Sequence, residues 1–433
     1  MKYYSTNRQS PVVSFKEAAL RGQAPDKGLY FPERIPVINQ QWLNNIRSIP
    51  KIELAYQIMQ PYVGGDISAE QLYQIVTETI DFDFPLTQLE EDIYVLELFH
   101  GPTLAFKDVG ARFMSRCLGY FSHDKTTKTT VLVATSGDTG GAVANGFLNV
   151  EGVEVIILYP AGKVSRVQEL QLTTCGNNIT AVRINGTFDD CQQIVKEAFM
   201  DQQLAERLQL TSANSINIAR WLPQQLYYFL AMQQWPASQT APVMAVPSGN
   251  LGNIAAGLLA KRSGLGMGNF IAACNINDSI TDFLETGIHT SKQAVMTYSN
   301  AMDVGNPSNL IRILEMYQHN LSFIKSQVSS STQTDEATIY AIQSVYENNK
   351  YILDPHAAVG YSALKQVLRK GGKGVLLATA HPVKFPEIVE KVIGTSIPIP
   401  ESIKPLYTLS QQMIDMEASY ECFKEWIWYR SGL

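Results

Sequence analysis

Short apolar runs recur along the chain, several of them followed by small polar residues and then by a pattern with helical period. Thr130-Val131-Leu132-Val133-Ala134 leads into TSGDTGGAVANGF, Val153 to Tyr159 into PAGKVSRVQELQL, and Val243-Met244-Ala245-Val246 into PSGNLGNIAAGLLAK. Phe270-Ile271-Ala272-Ala273 and Gly374 to Ala378 have the same strand-like character. A strand that reads as a continuous apolar run is buried on both faces. Alternation with helices makes such strands part of parallel sheets flanked by helices, so the fold class is α/β. Ligands of these sheets gather at the carboxyl ends of the strands, which is where the Ser, Thr, Gly and Asn loops fall.

The first ninety or so residues differ, being helical and turn-rich, with PDKGLYFPERIP as a loop between helical stretches. They are expected to form a separate cap domain over residues 1–90. Residues 91–215 then make a smaller α/β domain, 216–400 a larger one, and 401–433 a tail. The polar stretch from Ser326 to Asp335 is expected to be a loop with helices on either side. Trp426, Trp428 and Tyr429 make the tail aromatic and suited to docking as a helix.

Composition narrows the function classes. With 433 residues, 45% hydrophobic and 17% charged, the chain has ample material for two or three well-filled cores. A formal net charge of −6 leaves no basic stripe to neutralise phosphates in series, which argues against a nucleic-acid partner. Five cysteines, scattered and without a C-x-x-C pair, suit reduced thiols better than a disulfide framework or a zinc site. The start MKYYSTNRQS lacks an apolar secretory core, and no apolar run reaches membrane-spanning length. A cytoplasmic enzyme without a membrane or metal partner is expected, as a monomer or a homodimer.

One lysine stands out. Lys107 follows Leu104, Ala105 and Phe106, and Phe106, Gly110 and Phe113 then fall on one helical face. An amine at a helix start, among apolar neighbours, meets two effects that disfavour the ammonium form. A free amine is a nucleophile suited to Schiff-base chemistry, whereas a snorkelling surface lysine is the ordinary alternative. Four loops carry candidate chemistry besides. Gly249-Asn250-Leu251-Gly252-Asn253 leaves a strand and opens a helix, either as an anion cradle of backbone N–H groups or as a tight turn. It is neither a Walker A loop nor a dinucleotide fingerprint. Ser136-Gly137-Asp138-Thr139 suits a carboxylate or phosphate oxygen, or ordinary capping. Asn214, Ser215 and Arg220 combine a possible cap with a guanidinium fork for an anion, the alternative being a surface arginine. Thr379 closes the strand GVLLA, where its hydroxyl either meets a ring nitrogen or merely caps the strand.

Taken together, these segments resemble the threonine synthase family of fold-type II pyridoxal-phosphate enzymes. HGPTLAFKD (100–108) is similar to the family's cofactor-lysine motif, ATSGDTG (134–140) to its substrate loop, and SANSINIAR (212–220) to its phosphate-substrate segment. PSGNLGN (247–253) is similar to the cofactor-phosphate loop, SNAMDVGNPSN (299–309) to a family signature, and TAHPVKF (379–385) to the pyridine-side strand. SFKEAALRGQAPDKGLYFP (14–32) extends the resemblance to the start of the chain, so it covers roughly residues 1 to 390. Asn253 departs from members that carry Asp there.

The resemblance implies a fold like that of the tryptophan synthase β subunit and pyridoxal 5'-phosphate as cofactor. It implies that Lys107 holds the cofactor through its amine and acts as the catalytic base. Gly249, Asn250, Leu251, Gly252 and Asn253 would bind the cofactor's phosphate, and Thr379 would face its pyridine nitrogen. Ser136, Gly137, Asp138 and Thr139 would surround the substrate's carboxylate and part of its phosphate, and Asn214, Ser215 and Arg220 would grip the phosphate. His100, Asp108, His356 and His381 would be structural or one contact removed. The implied reaction is that of a lyase converting O-phospho-L-homoserine and water to L-threonine and phosphate. The alternatives are a serine or threonine dehydratase and a non-catalytic relative that binds a phosphorylated ligand.

Overall fold

The computed structural model describes residues 1–122 and 128–430. In chain order its strands begin with Lys2–Ser5 (β1), Val13–Ser14 (β2), Tyr30–Pro32 (β3), Leu86–Gln88 (β4), Ile93–Glu97 (β5), Thr129–Ala134 (β6) and Val153–Pro160 (β7). They continue with Ile179–Asn185 (β8), Gln209–Thr211 (β9), Val243–Pro247 (β10), Phe270–Cys274 (β11), Val328–Thr332 (β12), Gly374–Ala378 (β13) and Ile414–Glu417 (β14). β2-β1-β3 form a small antiparallel sheet, β12-β11-β10-β13-β5-β4 a six-stranded sheet, and β14-β8-β7-β6-β9 a five-stranded one. All pairs in the two larger sheets are parallel except β4 with β5. The runs that read as continuous apolar strands, β6, β10, β11 and β13, are buried almost throughout, as two-sided packing requires.

Several elements differ from the sequence expectation. The Ser326 to Asp335 stretch is not all loop, because Val328–Thr332 pairs in parallel with β11 as the edge of the six-stranded sheet. Its Ser and Thr residues are tolerated because an edge strand needs only one packed face. The PDKGLYFPERIP segment contains β3, so the cap has a sheet as well as helices. Residues 93–97, expected to open the smaller domain, instead form β5 inside the six-stranded sheet, paired with β13 from Gly374↔Ile93 to Ala378↔Glu97. The tail does dock as a helix, Tyr420–Arg430, burying Phe423 and Ile427. Just before it, β14 adds to β8, with Arg183 Nε 2.6 Å from Asp415 Oδ1 across the pair. The last three residues of the expected tail lie outside the described residues.

The cap braces the central helix Lys107–Ser122. Arg112 on that helix donates to the Glu78 carbonyl at 2.9 Å and to Asp81 at 2.6 Å, beside the cap helix Ala69–Thr79. Phe15 packs edge-on against Phe113 with ring centroids 6.5 Å apart. The sequence-predicted face is therefore a packed one, with Phe113 fully buried. Among the described residues no helix is long and apolar enough to cross a membrane.

Candidate active site

Lys107 is the first residue of its helix, and the approach to it is pinned on both sides. Leu104 adopts φ 59, a left-handed conformation that costs an L-residue about 1–3 kcal/mol and persists only where surroundings enforce it. The enforcement is visible. The Phe106 N–H donates to the Thr379 carbonyl at 2.9 Å, the His381 N–H to the Leu104 carbonyl at 3.0 Å, and Ala105 bridges Ala380. Tyr227 Oη donates to the Phe106 carbonyl. Asp108, buried, accepts from the Thr103 N–H at 3.0 Å and from the Thr103 hydroxyl, closing the turn behind Lys107. Thr379, at the carboxyl end of β13, thus sits one backbone hydrogen bond from the residue preceding Lys107.

The Lys107 side chain is 17% exposed, and its Nζ stands 3.7 Å from Asp138 Oδ2. Asp138 opens the helix Asp138–Phe147 at the carboxyl end of β6, so this contact joins the two large sheets. Its other oxygen receives Lys384 Nζ at 2.7 Å and Gln168 Nε2 at 3.0 Å. Lys384 is fully buried and donates further to the Thr103 carbonyl at 2.9 Å. One carboxylate therefore lies between two ammonium groups. Burial would raise the Asp138 carboxyl, but Lys384 and Lys107 outweigh it and hold the group well below the usual carboxylate range. Burial lowers the Lys107 amine; Asp138 opposes that effect, while Lys384 and Arg220 add to it. The loop itself is shaped by Thr135, whose Oγ1 accepts the Gly137 and Gly140 N–H groups at 3.0 and 2.8 Å. Gly137 has φ 133, and a Cβ there would collide with Gln168, so the position needs glycine. Among the described residues the Ser136 and Thr139 side chains, both half-buried, make no hydrogen bond.

The loop at 248–253 leaves β10 with Leu251 at φ 57 and opens the helix Gly252–Arg262. Gly249 packs against backbone: a Cβ there would lie 2.7 Å from Met302 Cα and 3.1 Å from the Ala301 carbonyl oxygen. The Ala301 N–H in turn donates to His356 Nε2 at 3.2 Å, and the other ring nitrogen of His356 lies 2.6 Å from Asp354, an arrangement that fits a neutral ring. Asn253 is 5% exposed; its Oδ1 accepts from Tyr228 Oη at 2.8 Å, while its Nδ2 is buried without a partner. A strained loop, a helix N-terminus and an unsatisfied buried amide donor together suit a bound phosphate.

Arg220 is not a surface residue. It is 3% exposed, on the short helix Ile218–Trp221, and donates from Nη1 to the Ala213 carbonyl at 2.6 Å, with Nε unpartnered. Burial draws it down to about 10, and among the described residues it forms no ion pair; Tyr227 and Asp108 act on it only at longer range. It packs against Gly110, one helical turn on from Lys107, where a Cβ would come 3.1 Å from its Nε. Ser215 Oγ accepts from Asn250 Nδ2 at 2.9 Å, which joins the segment at 214–217 to the loop after β10. The Asn214 side chain makes no hydrogen bond among the described residues.

The family model for "Pyridoxal-phosphate dependent enzyme" matches residues 71–379, that for "Threonine synthase N terminus" residues 2–80, and that for "Threonine synthase, C-terminal" residues 357–427. The chain belongs to the threonine synthase family. The threonine synthase of Haemophilus influenzae is 43% identical over 407 residues, covering 93% of this chain and 94% of that protein. The threonine synthase of Schizosaccharomyces pombe is 33% identical, covering 91% and 90%. Among solved structures, threonine synthase from Escherichia coli superposes with a TM-score of 0.93 at 39% identity, covering 99% of this chain and all of that one. The pyridoxal-phosphate-bound threonine synthase from Brucella melitensis gives 0.94 at 35% identity, with both chains fully covered. The chain is accordingly a pyridoxal-phosphate-dependent lyase of fold type II.

Lys107, Thr379 and the loops at 136–139, 214–220 and 249–253 all lie within this one network. The histidines differ in burial. His356 supports Ala301 behind Gly249, whereas His100 is more exposed and lies 2.6 Å from Glu97. His381 is held neutral: burial takes it down to about 4, and its Nδ1 accepts the Val383 N–H at 3.1 Å. Sequence reasoning missed Lys384, Gln168, Asn309 and Arg312. Lys384 lies within TAHPVKF and Asn309 within SNAMDVGNPSN, both family-like segments, but neither carried a local sign of its partner.

Proposed function

We propose that the chain converts O-phospho-L-homoserine and water to L-threonine and phosphate. The observation that carries the substrate is Arg220, a buried guanidinium that among the described residues has no ion pair, packed against Gly110 one turn on from Lys107 and bonded to the Ala213 carbonyl next to Asn214. A buried charge is tolerated when a counter-ion completes it, and a phosphate monoester offers the planar-fork acceptor that arginine suits.

Lys107, with the loop at 249–253 and Thr379, would hold pyridoxal phosphate, which when bound supplies the electron sink for charge developing at the substrate's Cα and Cβ. Lys107 removes the proton at Cα and serves as the proton carrier at Cβ and Cγ. Phosphate leaves from Cγ and water adds at Cβ. Asp138, fixed by Lys384 and Gln168, keeps the lysine's charged form in register between transfers. Ser136, Gly137 and Thr139 offer hydroxyls and N–H groups to the substrate's carboxylate. Asp138 shares that loop, but its side chain serves the lysines, since a carboxylate repels another. Arg220, Asn214 and Ser215 take the phosphate and steer it as it departs. The five cysteines are all unpaired, which supports a reducing, cytoplasmic setting, and we expect a monomer or a homodimer.

Arg220→Ala tests the reading with two substrates. Loss of a charge-assisted contact of about 1.5–3 kcal/mol lowers kcat/KM for O-phosphohomoserine at least ~10-fold. Any slow turnover of serine, which has no phosphate, changes far less. Equal losses on both would overturn the phospho-substrate assignment.

A further inference from the structure

The segment at 213–216 is gripped by a second buried guanidinium. Arg312, on the helix Leu310–Met316, is fully buried, and among the described residues it has no ion pair. Its Nη1 donates to the Ser215 carbonyl at 2.7 Å and to Asn309 Oδ1 at 2.5 Å, and its Nη2 to the Ile216 carbonyl at 2.6 Å. The guanidinium carbon lies 4.4 Å from the centroid of the Trp221 ring, and Nε has no partner. Burial draws its ionisation down to about 9.

Asn309, oriented by this contact, donates from Nδ2 to Ser215 Oγ at 3.1 Å and to the Asn250 carbonyl at 2.9 Å. Asn250 closes the circuit: its Nδ2 donates to Ser215 Oγ at 2.9 Å and its Oδ1 accepts the Ser308 N–H at 2.5 Å. Two consequences follow from the donor count. Ser215 Oγ accepts from two amides, so both lone pairs are engaged and its proton is left to donate elsewhere. The carbonyls of Ala213, Ser215 and Ile216 are all taken by guanidinium groups. The segment's backbone acceptors are thus consumed on the protein side, the Asn214 carbonyl by the Asn217 N–H, while the Ser215 hydroxyl proton and the NH2 of the Asn214 side chain remain as donors. That is the inventory a phosphate requires.

We propose that Arg312 and Asn309 are positioning residues that lock the segment at 214–217 to the loop at 249–253. The site for the substrate's phosphomonoester and the site for the cofactor's phosphate are then ordered as one unit. Neither residue touches a reacting atom; Arg312 acts through Ser215 and Asn309, and Asn309 acts through Ser215 and Asn250. The inference rests on the assignment of those two loops to two phosphates made above.

The test uses Asn309→Ala and Arg312→Lys in the purified full chain. Cofactor dissociation constants come from absorbance titration of the apoenzyme. On the cofactor-saturated enzyme, the inhibition constant for inorganic phosphate and the KM and kcat for O-phosphohomoserine are measured. A common lock predicts that Asn309→Ala raises the cofactor Kd, the phosphate inhibition constant and KM together, each ~10-fold, as expected for losing hydrogen bonds that orient a charged ligand's site. Its kcat falls less than its KM rises, and cooperative thermal unfolding is retained. Arg312→Lys keeps the charge but reaches fewer acceptors, so it moves the same constants in the same direction by a smaller factor. A lowered melting temperature with all three constants unchanged would make the cluster merely structural and overturn the proposal. A change at only one of the two phosphate sites would overturn it as well. If wild-type enzyme failed to turn over O-phosphohomoserine while the cofactor and inorganic-phosphate constants still moved together, the lock would stand and the substrate assignment would fall.

Discussion

Two pairs of buried cations border the site, and the protein treats them differently. Lys107 and Lys384 share Asp138, which lies 3.7 Å from one and 2.7 Å from the other. Among the described residues Arg220 and Arg312 have no carboxylate partner; they hold backbone carbonyls and each leaves Nε unpartnered. Where the chain supplies its own counter-ion, the charge is balanced before any ligand arrives, and the surplus cation tunes the lysine that reacts. Where it supplies none, backbone carbonyls alone meet the desolvation cost, and under the reading proposed above an anion at Arg220 would relieve it. Lysine, whose proton can leave, sits in the balanced pair, and arginine, whose charge is permanent, in the open one.

The largest effect comes from removing the reacting group. Lys107→Ala is expected to lose the covalent cofactor signal near the visible edge and all measurable turnover. Asp138 and Lys384 remain as a one-to-one pair, so cooperative unfolding should persist. Retention of covalent cofactor in this variant would move the assignment to another lysine.

Lys384→Met sharpens the balanced side. It leaves Asp138 with Lys107 alone and removes a fully buried partner, a change that costs about 3–5 kcal/mol when a buried pair is broken. Chemical denaturation measures that cost. Lys384 is one of the charges that lower the Lys107 amine, so its loss raises the lysine's pKa and delays the free base to higher pH. The pH midpoint for covalent cofactor uptake by the apoenzyme should therefore shift upward, and a downward or absent shift would separate Lys384 from Lys107. Arg220→Met probes the other side and carries the opposite sign. Replacing a buried, uncompensated charge by an apolar chain of similar volume is expected to leave the apoenzyme as stable or up to ~1 kcal/mol more stable. The same change should reduce the stabilisation that inorganic phosphate confers, which for a single site at a hundredfold excess over Kd amounts to about 2.7 kcal/mol. Destabilisation of Arg220→Met on the scale of Lys384→Met would erase the distinction between the two pairs.

The sequence made the buried strands legible because two-sided burial writes itself as an apolar run. β12 and β14 escaped because edge strands need only one packed face: VSSST reads as polar loop, and IDME lies within a tail expected to dock as a helix. β5 was placed on the wrong side of a boundary because its partner, β13, lies more than 250 residues away, and no local pattern records that pairing. Within the site, loops with glycine and hydroxyl signatures were visible, and so was Lys107 among apolar neighbours. Lys384 and Arg312 were not. A single basic residue after a proline or inside a helix reads as solvated, and what buries each one lies hundreds or scores of residues away along the chain. Arg220 was found through its neighbours Asn214 and Ser215, but the absence of a carboxylate beside it could be seen only in three dimensions.

The smallest expected effect separates two glycines of one loop, one serving the protein and one the ligand. A Cβ at Gly249 would meet the backbone of Met302 at 2.7 Å, a contact that cannot give without moving the segment that His356 supports. A Cβ at Gly252 would lie 3.3 Å from Ser215 Cβ and 3.4 Å from Asn309 Nδ2, which yield by a few tenths of an ångström. Gly252→Ala should therefore cost less than ~1 kcal/mol of stability, within the range of ordinary substitutions. Its added methyl group stands at the helix start where a phosphate would approach, and it presses on the two residues that tie that loop to Ser215. Cofactor affinity should fall ~10-fold, a loss of about 1.4 kcal/mol, while the melting curve of the apoenzyme barely moves. Gly249→Ala should show the reverse order, with stability falling first and affinity following from it. If both variants lost stability alike and neither lost cofactor beyond that, the loop would be a packing turn, and the open side of the comparison would rest on the two arginines alone.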